Sequence, residues 1–380
     1  MASPQVICFF TFLCSFMLTP QERQRYRRHL QLSEIGEQGQ LHLKQSRVLM
    51  VGAGGLGCPV VQYLAAAGVG CLGIADADRV ELSNLQRQVL YSEADLGSLK
   101  AEAAAQAVHR LNPLVRAEVY SYRVVLGNVR DLVSNFDVVV DGSDNFSTRY
   151  VLNDACVSLD KPLVSGAIYR YEGQVSVFNY NSGPTYRCLF PQPPSAQEAP
   201  DCNATGVLGV LPGLVGTAQA TEVLKILLGL GEVLSGRMWV VDALTFQTRT
   251  LKFKRRAEQA AINLDTANPN DYREICTPVI HSLSVVELGR QLASAQPPFL
   301  LDVREPEEYA KAHLPGATLL PLSALDHGAH TVPKHHPVVV YCRSGARSAR
   351  AIEQLQNAHG FSNLLNLEGG MMAWQEANPA

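Results

Sequence analysis

The residues 342–348 read Cys-Arg-Ser-Gly-Ala-Arg-Ser, after an apolar run at 337–341 and ahead of a helical pattern at 349–357. A cysteine delivered from a strand end to a helix N-terminus, with Arg343 and Arg347 beside it, makes an electropositive thiolate site. Backbone N–H groups of Arg343, Ser344, Gly345, Ala346 and Arg347 can converge on whatever the sulfur carries. Phosphoryl transfer and sulfane-sulfur transfer both use such a cradle. Phosphatases of this kind use a longer loop, a wider bowl for a tetrahedral phosphate. Four residues separate Cys342 from Arg347, a tighter ring suited to one extra sulfur atom.

A second chemical stretch lies near the other end of the chain. The apolar residues 48–51 run into Gly52-Ala53-Gly54-Gly55-Leu56-Gly57, a helical pattern follows, and a second apolar run at 71–75 ends on Asp76. Strand, glycine turn, helix, strand and acid make a nucleotide-binding βαβ unit. The glycines let backbone approach phosphate, the helix start offers free N–H groups, and the acid can hold a ribose hydroxyl. By itself the fingerprint fits a redox dinucleotide or ATP. Ser83-Asn84-Leu85-Gln86-Arg87 and then Lys100 add two cations just past the ribose position. A triphosphate losing pyrophosphate needs them there, and a dehydrogenase has no general need of them.

Residues 47–100 thus resemble the adenylation domain of the ubiquitin-activating superfamily, in its bacterial sulfur-carrier branch. The resemblance implies that Gly52, Gly54, Gly55, Gly57, Asp76, Ser83, Asn84, Leu85, Gln86, Arg87 and Lys100 bind ATP. It assigns Arg28, in Arg25-Tyr26-Arg27-Arg28, to the nucleotide phosphates of a second subunit, so a homodimer is expected. An apolar strand at 136–141 ends in Gly142-Ser143-Asp144-Asn145, and ligands of open α/β sheets bind at such carboxyl ends. Asp144 can cap the helix beginning near Phe146; the resemblance implies instead that it holds the Mg2+ accompanying ATP, with Asn145 beside it. In the wider family two Cys-x-x-Cys pairs often hold zinc. Here Thr185-Tyr186-Arg187-Cys188 keeps one cysteine of the first pair and only Cys276 remains for the second, so no structural zinc is expected. Cys202 lies among polar residues before a helical pattern at 214–228, a placement compatible with either an inert or a reactive thiol. Its Cys-x-x-x-Gly-Val-Leu-Gly context is similar to the loop that carries the family's acyl- or disulfide-forming cysteine.

Around the cradle, Asp302-Val303-Arg304-Glu305, His313-Leu314-Pro315-Gly316-Ala317 and Glu368-Gly369-Gly370-Met371-Met372-Ala373-Trp374 resemble a rhodanese domain. The two domains in this order are similar to a molybdopterin-synthase adenylyltransferase fused to a sulfurtransferase. That implies a Rossmann-like α/β adenylation domain with a mainly parallel sheet, then a smaller α/β rhodanese domain. The expected catalytic set is Arg87, Asp144, Cys202 and Cys342. The partners implied are a ubiquitin-like carrier ending in Gly-Gly and a sulfur donor such as a cysteine desulfurase or thiosulfate. The carrier's pathway stays open among molybdopterin, thiamine, cysteine and tRNA sulfur chemistry. Two other readings remain: a nicotinamide oxidoreductase with a sulfurtransferase tail, and a nucleotide-sensing scaffold.

The elements that must position these groups fall into four parts: an extension at 1–18, the adenylation domain at 19–256, a polar linker at 257–280 and the rhodanese domain at 281–378. With 380 residues of 47% hydrophobic content the chain can fill two cores. A formal charge of −3 gives no sign of nucleic-acid binding. Nine cysteines without regular spacing suit a reducing cytoplasm. The apolar run at 6–18 is too short to span a bilayer and has no Lys or Arg before it, so no membrane is implied. A start at Met17 would place Thr19 as the cap of the first helix.

Overall fold

A computed structural model describes residues 17–194, 206–259, 262, 264, 267, 272, 280–294 and 296–378. Two compact units divide the chain, Met1–Ile275 and Cys276–Ala380. The first described helix, Pro20–Arg25, opens on Thr19, whose hydroxyl accepts from the Glu22 N–H while the Glu22 carboxylate accepts from the Thr19 N–H. That reciprocal box satisfies two of the N–H groups a helix start leaves bare. The apolar stretch before Met17 lies outside the described residues.

Eight strands build the first unit: β1 (Arg47–Val51), β2 (Cys71–Ala75), β3 (Arg116–Tyr120), β4 (Val138–Asp141), β5 (Leu163–Tyr169), β6 (Glu172–Phe178), β7 (Arg237–Asp242) and β8 (Thr248–Lys252). They lie in one sheet in the order β3-β2-β1-β4-β5-β6-β7-β8. The pairs from β3 to β5 are parallel. Those from β5 to β8 are antiparallel. Unbroken apolar runs suit the parallel part because helices cover both its faces. Val48 and Met50 join the core beneath the helices Gly57–Ala67, Lys100–Leu111 and Leu211–Leu228. Leu49 and Val51, one position out of step, join the opposite core with Val129, Phe136 and Leu152.

The chain leaves β1 toward β2 and β3, then returns to β4 on β1's other side. This reversal is the topological switch point where open α/β sheets hold ligands. The sequence pattern of residues 257–280 is that of a connection rather than a packed element. Among those described, Leu264 is buried in the first unit's core, and the Tyr272 hydroxyl donates to Asp154 at 2.7 Å.

The second unit has five parallel strands: β9 (His281–Leu283), β10 (Phe299–Asp302), β11 (Thr318–Leu319), β12 (Val338–Tyr341) and β13 (Leu364–Leu367). Their order is β11-β10-β12-β13-β9, with β12 at the centre. Val338 and Val340 face one core, Val339 and Tyr341 the other. The helix after β12 starts earlier than its sequence pattern suggests, at Ala346 rather than 349, and runs to His359. Gly345, at φ +94°, makes the sharp entry into it. Among the described residues no helix is long and apolar enough to cross a membrane.

The tightest point of the first unit is its glycine turn. A Cβ on Gly57 would lie 2.1 Å from the Gly52 carbonyl oxygen, so backbone itself would have to move. Gly57→Ala is predicted to destabilise the first unit by about 2 kcal/mol or more. The chain's two tryptophans divide between the units, Trp239 on β7 and Trp374 in the helix Gly370–Ala377. Trp239 emission in a Trp374→Phe background checks the prediction through a lowered denaturant midpoint for that unit.

Candidate active sites

Gly52 ends β1 with φ +88°, and a Cβ there would meet the Gly142 carbonyl oxygen at 2.8 Å. The Gly52 N–H donates to Ala75 O and the Gly142 N–H to Val51 O, each at 2.9 Å. The exits of β1, β2 and β4 are thereby stitched together around the Gly52–Gly57 turn. Asp76 leaves β2 and accepts from the Ala53 N–H at 2.7 Å and the Asp78 N–H at 2.8 Å. Burial raises its carboxyl above the ordinary range, against the pull of those N–H groups and of Lys100. Each oxygen keeps a further lone pair for a hydroxyl donor.

Ser83 and Asn84 form a one-turn helix, Leu82–Asn84, and Leu85, Gln86 and Arg87 follow directly. Arg87 lies over the turn: its side-chain carbon is 3.7 Å from where a Cβ on Gly55 would be. Lys100 begins the helix Lys100–Leu111, is buried, and pairs with the exposed Asp78 at 2.9 Å. Both expected cations therefore stand by the switch point. Gln88 is only 3% exposed, and its Oε1 has no hydrogen-bond partner among the described residues. Its Nε2 is 3.7 Å from the Cβ position of Gly54. A buried amide against a phosphate-type turn is a candidate that residue type alone did not single out.

The cap of the helix Phe146–Ser158 corrects one expectation. Asn145, not Asp144, caps it: Asn145 Oδ1 accepts from the Thr148 N–H at 2.8 Å. Asp144 is exposed at the carboxyl end of β4. Asn145's oxygen is thus committed to the helix, while the Asp144 carboxylate faces outward. Behind them Arg149 is buried and donates to Ser143 O at 2.9 Å and Gly166 O at 3.2 Å. Asp141 accepts from the Ser143 N–H and hydroxyl and from Ser165. This lattice fixes the loop that presents Asp144, and the pairing of Arg149 with two distant carbonyls has no local sequence signal.

In the second unit Cys342 sits directly after β12 and is 1% exposed. Burial works against its thiolate, but the Ser348 hydroxyl and the N–H groups of Ser348, Ser344 and Gly345 outweigh it and hold the thiol below its usual range. The Gly345 N–H lies 3.2 Å and Ser348 Oγ 3.5 Å from Sγ. By contrast, burial pushes Cys58 up to about 12, Cys71 up to about 11, and Cys156 upward too. The expected electropositive surround is modified. Arg347 forms two 2.7 Å bonds to Glu308, on the helix Pro306–Lys311, and its hydrogen bonds bring that carboxyl down to about 2. Arg343, Ser344 and Ala346 are exposed on the rim. Hydroxyl and backbone dipoles thus do most of what the sequence assigned to two guanidinium groups.

Arg28 is exposed on the short helix Arg27–Leu30, with Gln31 Oε1 at 3.5 Å. Cys202 and Cys276 lie outside the described residues. Cys188 is buried, and its sulfur receives the N–H groups of Arg256 at 3.3 Å and Thr185 at 3.4 Å, with Thr185 Oγ1 at 3.3 Å. Among the described residues no group of three His, Cys, Asp or Glu could hold a metal.

Residues 26–262 match the ThiF family, and residues 284–377 match the rhodanese-like domain. A Mycobacterium tuberculosis protein named probable adenylyltransferase/sulfurtransferase MoeZ is 40% identical over 377 residues, 94% of each chain. The Sus scrofa adenylyltransferase and sulfurtransferase MOCS3 is 42% identical over 392 residues, covering 94% of this chain and 86% of that protein. A solved structure of E. coli MccB with ATP shares the fold at TM-score 0.55 and 19% identity, covering 69% of this chain and 82% of that one. The chain belongs to the ThiF family, as an adenylyltransferase and sulfurtransferase whose C-terminal unit is a rhodanese-like domain.

Proposed function

We propose that this enzyme activates the C-terminal glycine of a ubiquitin-like sulfur carrier with ATP and then exchanges the activated oxygen for sulfur. The observation that carries this reading is the presence, on one chain, of a nucleotide-type switch point and a cradle that favours a cysteine thiolate. The carrier carboxylate attacks the α-phosphorus of ATP, and pyrophosphate leaves. Gly52, Gly54, Gly55 and Gly57 let the backbone lie against phosphate, and Asp76 takes the ribose. Ser83, Asn84, Leu85 and Gln86 wall the nucleotide, while Arg87 and Lys100, with Arg28 of a second copy in a homodimer, neutralise developing phosphate charge. The exposed Asp144 carboxylate beside the glycine turn suits Mg2+, which when bound offsets pyrophosphate charge. Asn145 supports that loop through its cap. No structural zinc enters this reading.

Sulfur reaches Cys342 as a persulfide from a cysteine desulfurase or thiosulfate. Its terminal sulfur attacks the acyl-adenylate carbonyl and AMP leaves, giving an acyl disulfide. The Cys202 thiolate then attacks the Cys342 sulfur, the carrier leaves as thiocarboxylate, and a Cys202–Cys342 disulfide awaits a dithiol reductant. A protein substrate is favoured by the strand ends themselves. The β5–β6 and β7–β8 turns lie at the same end of the sheet as the switch point and expose Tyr169, Tyr171, Leu244 and Phe246. The setting proposed is molybdopterin synthesis in the cytoplasm, with the same chemistry on a thiamine, cysteine or tRNA-thiolation carrier as the alternative.

Three variants test the stages separately. Because Asn145 holds the cap, Asp144→Ala is predicted to leave stability unchanged and cut carrier adenylation by about 100-fold or more, with thiosulfate sulfurtransferase activity intact. Pyrophosphate release and cyanolysis assays read the two activities. Cys342→Ala is predicted to stop thiocarboxylate formation but not adenylation. Cys202→Ala should accumulate a carrier joined to Cys342 by a reducible bond, seen as an added intact mass that reductant removes. Full-rate thiocarboxylate release by that variant would remove Cys202 from the mechanism.

A further inference from the structure

Ser348 is fully buried, and its hydroxyl has one proton for three acceptors. Asn366 Oδ1 lies at 2.7 Å, Gly345 O at 3.0 Å and Cys342 Sγ at 3.5 Å. With the amide oxygen toward Ser348, the best-placed acceptor is the asparagine, and the sulfur is left to the backbone. The oxygen and nitrogen of an amide have nearly the same size, so a half-turn of the Asn366 amide exchanges them while the group fills the same space. Nδ2 then donates to Ser348 Oγ. The hydroxyl proton is left to choose between a neutral carbonyl and an anionic sulfur, and charge-assisted bonds are the stronger.

We propose that Asn366 is a positioning residue for the sulfur-transfer centre, whose amide turns to donate to Ser348 and thereby directs the Ser348 proton onto Cys342 Sγ. The amide accepts from Ser348 while the sulfur is a neutral thiol and donates once it is a thiolate or persulfide anion. Asn366 is built for this: it lies on β13 beside the cradle, nine-tenths buried, and its amide nitrogen is 3.6 Å from the Cβ position of Gly345. Gly345 is also the residue whose N–H reaches the same sulfur.

The charges around the loop stay fixed in this device. Arg343 belongs to the loop and Arg347 to the first turn of the helix Ala346–His359, where it is bound to Glu308 from the helix Pro306–Lys311. The end of β10 contributes the buried Asp302–Arg304 pair at 2.6 Å. Tyr341 ends β12 and Glu368 follows β13. None of these changes between the variants compared below.

The proposal rests on Cys342 being the sulfur-carrying thiol, and its test reads the thiolate without any sulfur transfer. In the full chain, iodoacetamide alkylation of the Cys342 peptide is followed by mass spectrometry across pH for wild type, Ser348→Ala, Asn366→Ala, Asn366→Asp and the Ser348→Ala/Asn366→Ala double variant. A carboxylate can only accept, so Asn366→Asp should draw the hydroxyl proton away from sulfur. It should move the profile to higher pH and slow alkylation in the acid limb by about tenfold. Asn366→Ala should slow it too, yet add nothing once Ser348 is alanine. A further slowing by Asn366→Ala in the Ser348→Ala background, or an unmoved Asn366→Asp profile, overturns the proposal. Thermal melting accompanies each variant, and if Asn366→Ala fails to fold, the near-isosteric Asn366→Asp comparison with and without Ser348→Ala decides alone. Loss of the sulfurtransferase reading would show differently, as cyanolysis that survives in Cys342→Ala.

Discussion

The close approach of Gly52 to Gly142 is the constraint on which the first unit depends. Two strand ends, β1 and β4, can meet at the switch point only because neither residue there carries a side chain. A Cβ on Gly52 would sit 2.8 Å from Gly142 O, and one on Gly142 would sit 2.4 Å from Met50. From that contact follow the direction of the glycine turn, the start of the helix Gly57–Ala67, and the outward course of the loop bearing Asp144. The loop is then held by buried polar groups. Arg149 donates to Ser143 O within the loop and to Gly166 O on β5, and Gln219 donates to Asp141 O at 2.7 Å. A buried guanidinium with hydrogen-bonded partners is stable where an unpaired one would be costly.

The second unit solves a different electrostatic problem. It favours the thiolate of a nearly inaccessible sulfur without giving it a dedicated cation. Arg347 is close enough to feel that charge but spends its donors on Glu308. Backbone N–H groups and one hydroxyl supply the stabilisation, as preorganised dipoles can in a site closed to water.

Much of this was legible in the chain. Unbroken apolar runs bounded by turn residues gave β1, β2, β4 and β12 their places, and the glycine turn and Cys342 loop stood out by type and spacing. What could not be read were choices between neighbours and pairings across long separations. Asp144 and Asn145 are both good caps, and only the backbone path decides that Asn145 serves. Glu308 and Arg347 are 39 residues apart, and Ser348 and Asn366 are 18 apart, with no periodicity linking either pair. Leu264 and Tyr272 sit in a polar stretch whose composition says linker, yet both pack on the first unit because single large side chains found apolar or carboxylate partners there.

The central claim is that carboxyl activation and sulfur delivery are one coupled reaction on a protein substrate. The most direct measurement follows pyrophosphate and carrier mass together, with wild-type enzyme, ATP, Mg2+, a sulfur donor and a ubiquitin-like carrier ending in Gly-Gly. The account predicts pyrophosphate release only when the carrier is present, and conversion of its terminal carboxylate to a thiocarboxylate in step with that release. Carrier-independent pyrophosphate, or a carrier of unchanged mass after full ATP turnover, would contradict it.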